Sequence, residues 1–145
     1  MIVAIASTQR ASVRYLVDDV DRAVDFYTTY LGFTLGHHAA PAFADVMRDP
    51  LRLLLSGPTS SGARPIPDGS TPVRGGCNRI HLIVDDITAE VARARVAGLS
   101  FGNNIVSGPV GQQILLHDPA GNLVELFDPA NRLAAEGVLD AVRPA

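Results

Sequence analysis

The chain has 145 residues, a formal net charge of −3, and 47% hydrophobic against 19% charged residues. This is the composition of a globular protein, long enough for one domain or for two small modules that share a core. The acidic balance and the scattered arginines argue against a nucleic-acid surface. The sequence contains no lysine, which excludes Schiff-base chemistry by this chain.

The cysteine content and the apolar runs indicate the cellular setting. Cys77 is the only cysteine, so neither an internal disulfide nor a multi-thiolate zinc site can form. Met1 to Ala6 is too short for the apolar region of a signal peptide, and no apolar run approaches the roughly 20 residues of a membrane span. We therefore expect a cytoplasmic protein without membrane or nucleic-acid partners.

The first part of the chain predicts one helix and four strands. Residues 12 to 17 alternate in polarity, as a half-buried strand does. Asp18 and Asp19 supply an N-cap, and apolar residues at helical spacing follow to Leu31, just before the stop signal Gly32. Three further strands are predicted at Phe33 to Gly36, Phe43 to Arg48 and Leu51 to Ser56. The order is therefore βαβββ, over about residues 11 to 57.

Residues 58 to 77 are rich in Gly, Pro, Ser and Thr and do not belong in a sheet interior. We interpret them as the connection between two modules. A mobile lid and a plain disordered linker are both compatible with this composition.

The βαβββ pattern then starts again. The stretch VRYLVDDVDRAV at residues 13 to 24 matches IHLIVDDITAEV at residues 80 to 91 position by position. The repeat is completed by a helix from Ile87 to about Ala97 and by strands near residues 100 to 105, 112 to 117 and 122 to 127. The prediction is an α+β fold of two duplicated modules, the second at about residues 78 to 129, with curved mixed sheets around a shared cleft. Residues 130 to 145 predict a last helix or a frayed tail.

The stretch QQILLHDPAGNLVELFDP, residues 112 to 129, contains an unusual carboxylate. Asp118 to Gly121 has the composition of a tight turn between two strands. On the returning strand, Leu123, Glu125 and Phe127 share one face, so Glu125 lies within an otherwise apolar strand. Burying this carboxylate costs several kcal/mol unless a cation, a metal or hydrogen-bond donors compensate it.

Taken in this order, YLVDDVDRAVDFYTTYLGF, HLIVDDI and HDPAGNLVELFDP resemble the glyoxalase/bleomycin-resistance/extradiol-dioxygenase superfamily, the vicinal oxygen chelate fold, over about residues 11 to 129. For metal-using members, the resemblance implies a divalent cation held by a histidine early in each module's first strand and a glutamate on its last. The matching positions here are Ser12, Arg79, Glu125 and one of the leucines at 53 to 55. Only Glu125 is a good metal donor, so we predict neither a metal nor another cofactor.

Arg79 stands at a ligand position, on the same strand face as His81. We predict that Arg79, with Arg14 as a second candidate, neutralises Glu125. The predicted ligand-binding residues are Ser12, Arg14, Arg79, His81, Gln113, Glu125 and Phe127. Two interpretations remain open at this point: a purely structural ion pair, and a polar floor that orients a ligand.

Three functions follow from these patterns. We favour a metal-free small-molecule-binding protein of the bleomycin-resistance type that holds a partly apolar ligand in the cleft between modules. The alternative is a lyase, isomerase or dioxygenase of the same superfamily, with Glu125 as base or metal ligand and His81 as acid. The third is a partner-binding module with a vestigial cleft. We expect a homodimer, because the edge strands of such small modules need covering.

Overall fold

The computed structural model describes residues 9–131, in which two helices and nine strands form two compact units. Unit 1 extends to Gly75 and includes Pro119–Gly121; unit 2 comprises Gly76–Asp118 and the residues from Asn122 onward. The predicted C-terminal helix or tail lies outside the described residues, apart from its first two positions.

Unit 1 is one helix on a mixed four-stranded sheet. Its elements are β1 (Ala11–Leu16), α1 (Val20–Tyr30), β2 (Thr34–Ala39), β3 (Phe43–Arg48) and β4 (Leu51–Ser56), and the strand order is β1-β4-β3-β2. β1 and β4 are parallel, whereas β3 is antiparallel to both of its neighbours. Asp19 is the N-cap of α1, and its carboxylate accepts a hydrogen bond of 3.0 Å from the Arg22 amide.

Unit 2 repeats this plan with a more broken sheet. Its elements are β5 (Arg79–Ile83), α2 (Ile87–Val96), β6 (Ser100–Phe101), β7 (Val106–Gly108), β8 (Gly111–His117) and β9 (Leu123–Pro129). The sheet order is β5-β9-β8-β6, and β7 also pairs with β8. Asp86 caps α2 as Asp19 caps α1, accepting from the Ala89 amide at 3.1 Å. The two helices and two mixed sheets confirm the predicted α+β fold.

One face of each sheet carries the apolar core. In unit 1 the fully buried side chains include Tyr27, whose ring packs edge-on against Phe26 and Phe33 at centroid distances of 5.1 and 5.4 Å. The core strand positions are Tyr15, Ala44, Val46, Leu53 and Leu55 in unit 1, and Ile80, Leu82, Ile114, Leu116, Val124 and Leu126 in unit 2. Because strand side chains alternate, the residues between these positions point to the opposite face.

Two predicted strands differ from the structure. The strand expected at residues 100 to 105 stops at Phe101, and β7 begins only at Val106. The break occurs because the Asn103 side chain accepts the Leu115 N–H at 2.8 Å, so that a side-chain bond replaces the strand ladder there. β2 runs to Ala39 instead of ending at Gly36.

The predicted linker contains ordered turns against unit 1. The Ser60 N–H donates to the Gly57 carbonyl at 3.0 Å, and a short 3-10 turn follows at Ser61–Ala63. Residues 71–74 then face residues 16–18 across a concavity of about 470 Å³.

Candidate functional site

The helix-free face of the unit 2 sheet gathers five of the predicted site residues. In the parallel β5–β9 ladder His81 lies opposite Glu125, and in the antiparallel β8–β9 ladder Gln113 lies opposite Phe127. Because strand side chains alternate, these residues lie on the sheet face opposite to the one that packs against α2. We call this set, Arg79, His81, Gln113, Glu125 and Phe127, the Glu125 face.

Glu125 is the buried centre of this face. Only 8% of the residue is exposed, and its two oxygens have separate neighbours. Arg79 Nε donates to Oε1 at 3.1 Å, while His81 Nε2 lies 3.5 Å from Oε2. The predicted pairing of Arg79 with Glu125 is therefore present in the structure, and the carboxylate has the cation that its burial requires.

Polar and aromatic groups surround that carboxylate. The His81 and Phe127 rings lie 4.9 Å apart between centroids, with an interplanar angle of 42°. The side chain of His81 is 48% exposed, whereas that of Glu125 is 11% exposed. The face therefore offers an aromatic edge and an accessible imidazole above a fixed negative charge, and a polar ligand atom can be oriented by such groups.

The two predicted residues of unit 1, Ser12 and Arg14, lie on the helix-free face of their own sheet. The Ser12 hydroxyl donates to the Arg10 carbonyl at 3.2 Å and is exposed. The Arg14 guanidinium donates from Nη1 to the hydroxyl of Ser56 at 2.6 Å, and Ser56 is fully buried.

A second buried ion pair, absent from the predicted site, also occupies the helix-free face of unit 1. Asp45 is 4% exposed and accepts from the His37 N–H at 2.7 Å and from Arg52 Nε at 3.0 Å. Burial raises the pKa of Asp45, but the His37 donor and the Arg52 guanidinium outweigh it, and the net pKa lies below that of a free aspartate. The pairing of the predicted strands β3 and β4 could have revealed it. Asp45 lies opposite Leu54, so Arg52, two residues before Leu54, is its diagonal neighbour on the same sheet face.

The remaining histidines have local partners. His38 Nε2 lies 2.7 Å from an Asp21 carboxylate oxygen, and His117 Nδ1 lies 3.2 Å from the Ser100 hydroxyl. Both contacts are on the surface. Among residues 9–131, no three His, Cys, Asp or Glu side chains are grouped so that they could hold a metal ion.

The repeated βαβββ units define a class of small duplicated α+β proteins, and comparison with known families identifies it. The model of the Glyoxalase/Bleomycin resistance protein/Dioxygenase superfamily matches residues 9–126, and the chain belongs to this superfamily. No curated protein matches the chain at a significant level. Neither helix in the described part of the chain has the length and apolarity needed to cross a bilayer.

Several solved structures share the fold. A superfamily member from Sphaerobacter thermophilus DSM 20745 is 25% identical, with a TM-score of 0.66 over 83% of this chain and 97% of that one. An antibiotic-binding protein from Streptomyces sp. CB03234 is 24% identical, with a TM-score of 0.65 over 88% and 100%. A lactoylglutathione lyase from Agrobacterium tumefaciens is 19% identical, with a TM-score of 0.66 over 86% and 95%.

The metal-ligand positions implied by the family do not fit a cation in this chain. The strand registers identify the counterpart of Glu125 in unit 1, because Leu54 lies opposite Arg14 as Glu125 lies opposite His81. Leucine offers no donor, and Arg79 holds a guanidinium at the position of a ligand. Both oxygens of the remaining donor, Glu125, already face cationic or imidazole nitrogen.

Proposed function

We propose that the protein is a metal-free small-molecule-binding protein of the bleomycin-resistance type, and that the Glu125 face contacts the ligand. The observation that carries this proposal is the Arg79–Glu125 ion pair at the position where the family places a metal ligand. This ion pair provides charged hydrogen-bonding groups at the base of the proposed site, in the place where a metal would act as a Lewis acid. The half-buried Phe127 and the exposed ring of His81 supply an apolar and aromatic edge for a partly apolar ligand.

An enzymatic function of the lyase, isomerase or dioxygenase kind is the alternative, with Glu125 as base or metal ligand and His81 as acid. One observation favours it: His81 Nε2 and Glu125 Oε2 are 3.5 Å apart, so an acid and a base stand side by side on one sheet face. The hydrogen bond from Arg79 counts against it, because the guanidinium competes for the lone pairs that a base or a metal ligand must offer.

The proposal is tested by thermal unfolding with metal-free bleomycin and a set of aromatic antibiotics, because a ligand that binds only the folded state stabilises it. At 100 times its Kd, such a ligand adds about 2.7 kcal/mol. For Phe127→Ala, we expect that at least ten times more ligand is needed to reach the same rise in melting temperature. The matched control is Phe101→Ala, since Phe101 contacts the Arg95 guanidinium away from the Glu125 face. Equal ligand responses of the two variants would contradict this placement.

We also propose that the protein is a cytoplasmic homodimer. Support comes from β2, which is an edge strand with all six residues exposed, including Leu35 at 43%. An open edge of this kind invites pairing with a second chain. The exposed thiol of Cys77 suits a reducing compartment. Sedimentation equilibrium at micromolar concentration should give twice the chain mass; a monomer alone would remove the dimer from the proposal.

A further inference from the structure

Unit 1 contains a concavity of about 400 Å³ beside the Arg14 guanidinium. Its lining consists of Arg14, Ala42, Phe43, Thr59, Ser60 and Ser61, and we call it the hydroxyl pocket. All six residues belong to unit 1, whereas the Glu125 face belongs to unit 2.

The guanidinium in this pocket is held in place from two sides. On one side Nη1 donates to the buried Ser56 hydroxyl at 2.6 Å. On the other lies the backbone of the 3-10 turn: a Cβ added at Gly62 would stand 2.6 Å from Nη1 and 2.9 Å from Cδ of Arg14. A cation fixed in this way loses little side-chain entropy when a ligand binds it.

The charge of Arg14 is not compensated within the described chain. Arg10, Arg52, Arg79 and Arg93 each pair with a carboxylate, whereas among residues 9–131 no carboxylate pairs with Arg14. The pocket lining itself contains no acidic residue. The local field therefore favours an anion and disfavours a cation.

The other lining groups indicate what kind of anion fits. The Ser60 hydroxyl donates to the Gly57 carbonyl at 2.7 Å, so its proton is already used and does not serve a ligand. Thr59 and Ser61 add hydroxyls that can donate to an oxyanion beside the guanidinium fork. Ala42 and the ring of Phe43 form an apolar wall. A single cation next to an apolar wall suits a monoanion with an organic body better than a phosphate dianion.

We propose that the hydroxyl pocket binds the carboxylate of a small aromatic or otherwise flat organic acid, with Arg14 as its charged anchor. This deepens the proposed function and rests on it for the existence of a small-molecule ligand. It adds a chemical class of ligand, an organic carboxylate, and a binding site in unit 1 in addition to the Glu125 face of unit 2.

Benzoate titration followed by amide NMR tests the inference, with benzamide as the neutral isostere and inorganic phosphate as a second anion. We expect benzoate to shift the amides of residues 59–62 and to bind at least tenfold more tightly than benzamide or phosphate. Arg14→Gln should weaken benzoate at least tenfold and remove its preference over benzamide. Gly62→Ala, which displaces the guanidinium without removing the charge, should weaken benzoate in the same direction and serves if Arg14→Gln fails to fold.

The control variant is Arg22→Gln, an exposed arginine on α1 that does not line the hydroxyl pocket, and it should leave benzoate affinity unchanged. Benzoate affinity that is equal in wild type and Arg14→Gln overturns the inference, and so does phosphate binding as tight as benzoate. Failure of the proposed function is separate, because it would appear as the absence of antibiotic stabilisation through Phe127 while the shifts at residues 59–62 persist.

Discussion

Arg79→Ala is expected to lower the free energy of unfolding by about 2 kcal/mol at neutral pH. The Glu125 carboxylate, 11% exposed, would lose the 3.1 Å hydrogen bond from Arg79 Nε and keep only the imidazole of His81. Removing one partner of a fully buried pair costs about 3–5 kcal/mol, and the loss expected here is smaller because the Arg79 side chain is 35% exposed. Urea unfolding followed by circular dichroism measures the change.

Two further variants connect this loss to the unpaired charge. Ser12→Ala, at the equivalent position of unit 1, removes only an exposed bond to the Arg10 carbonyl and should change stability by less than about 0.5 kcal/mol. Adding Glu125→Gln to Arg79→Ala should recover at least half of the loss, because the buried group is then neutral. Equal melting temperatures of Arg79→Ala and Ser12→Ala would mean that Arg79 does not stabilise Glu125.

Asp45→Asn is expected to cost about 2 kcal/mol at pH 7 and to make stability less sensitive to acid. The amide keeps the shape of the side chain but loses the charge that Arg52 and the His37 N–H stabilise. The Arg52 side chain is 38% exposed, which keeps the expected loss below that of a fully buried pair.

The acid dependence follows from the lowered pKa of Asp45. A carboxylate whose folded pKa lies below its unfolded value of about 3.9 contributes its full stabilisation above that value and loses it as the pH falls through the folded pKa. The difference in stability between wild type and Asp45→Asn should therefore be constant above about pH 4.5 and shrink below pH 4. Asp68→Asn, at an exposed carboxylate that also has a lowered pKa, is the matched control and should show little difference at any pH. A wild-type advantage that grows on acidification would refute the account of Asp45.

Much of the fold was predictable because it depends on local patterns. β3 and β4 have the bounds that the sequence predicted, and the repeated Asp-Asp pairs do start both helices. The break between β6 and β7 was not predictable, since it depends on Asn103 capturing the amide of a residue on another strand. Sequence spacing does not reveal such a contact.

The same distinction holds for the candidate site. The sequence predicts the ion pair of Arg79 and Glu125, because both residues occupy positions of metal ligands in the family. Asp45 and Arg52 were missed, because their pairing depends on cross-strand register and on a bulge in β2 that brings the His37 N–H to the carboxylate. The unit 1 counterpart of Glu125 is a leucine. The sequence alone restricts it to positions 53 to 55, and the strand register identifies it as Leu54.

The central claim is that this superfamily member holds a small molecule without a metal, and ligand-induced stabilisation measured with and without a chelator tests it most directly. Protein purified without chelator would be unfolded thermally with metal-free bleomycin or the best-binding antibiotic, in the presence and absence of EDTA, with metal content measured on the same sample. We expect the same stabilisation in both conditions and far less than one equivalent of metal per chain, because Arg79 and Leu54 occupy ligand positions. Stabilisation that disappears in EDTA, returns with one equivalent of a divalent metal and is abolished by Glu125→Ala would contradict the account and favour the enzyme.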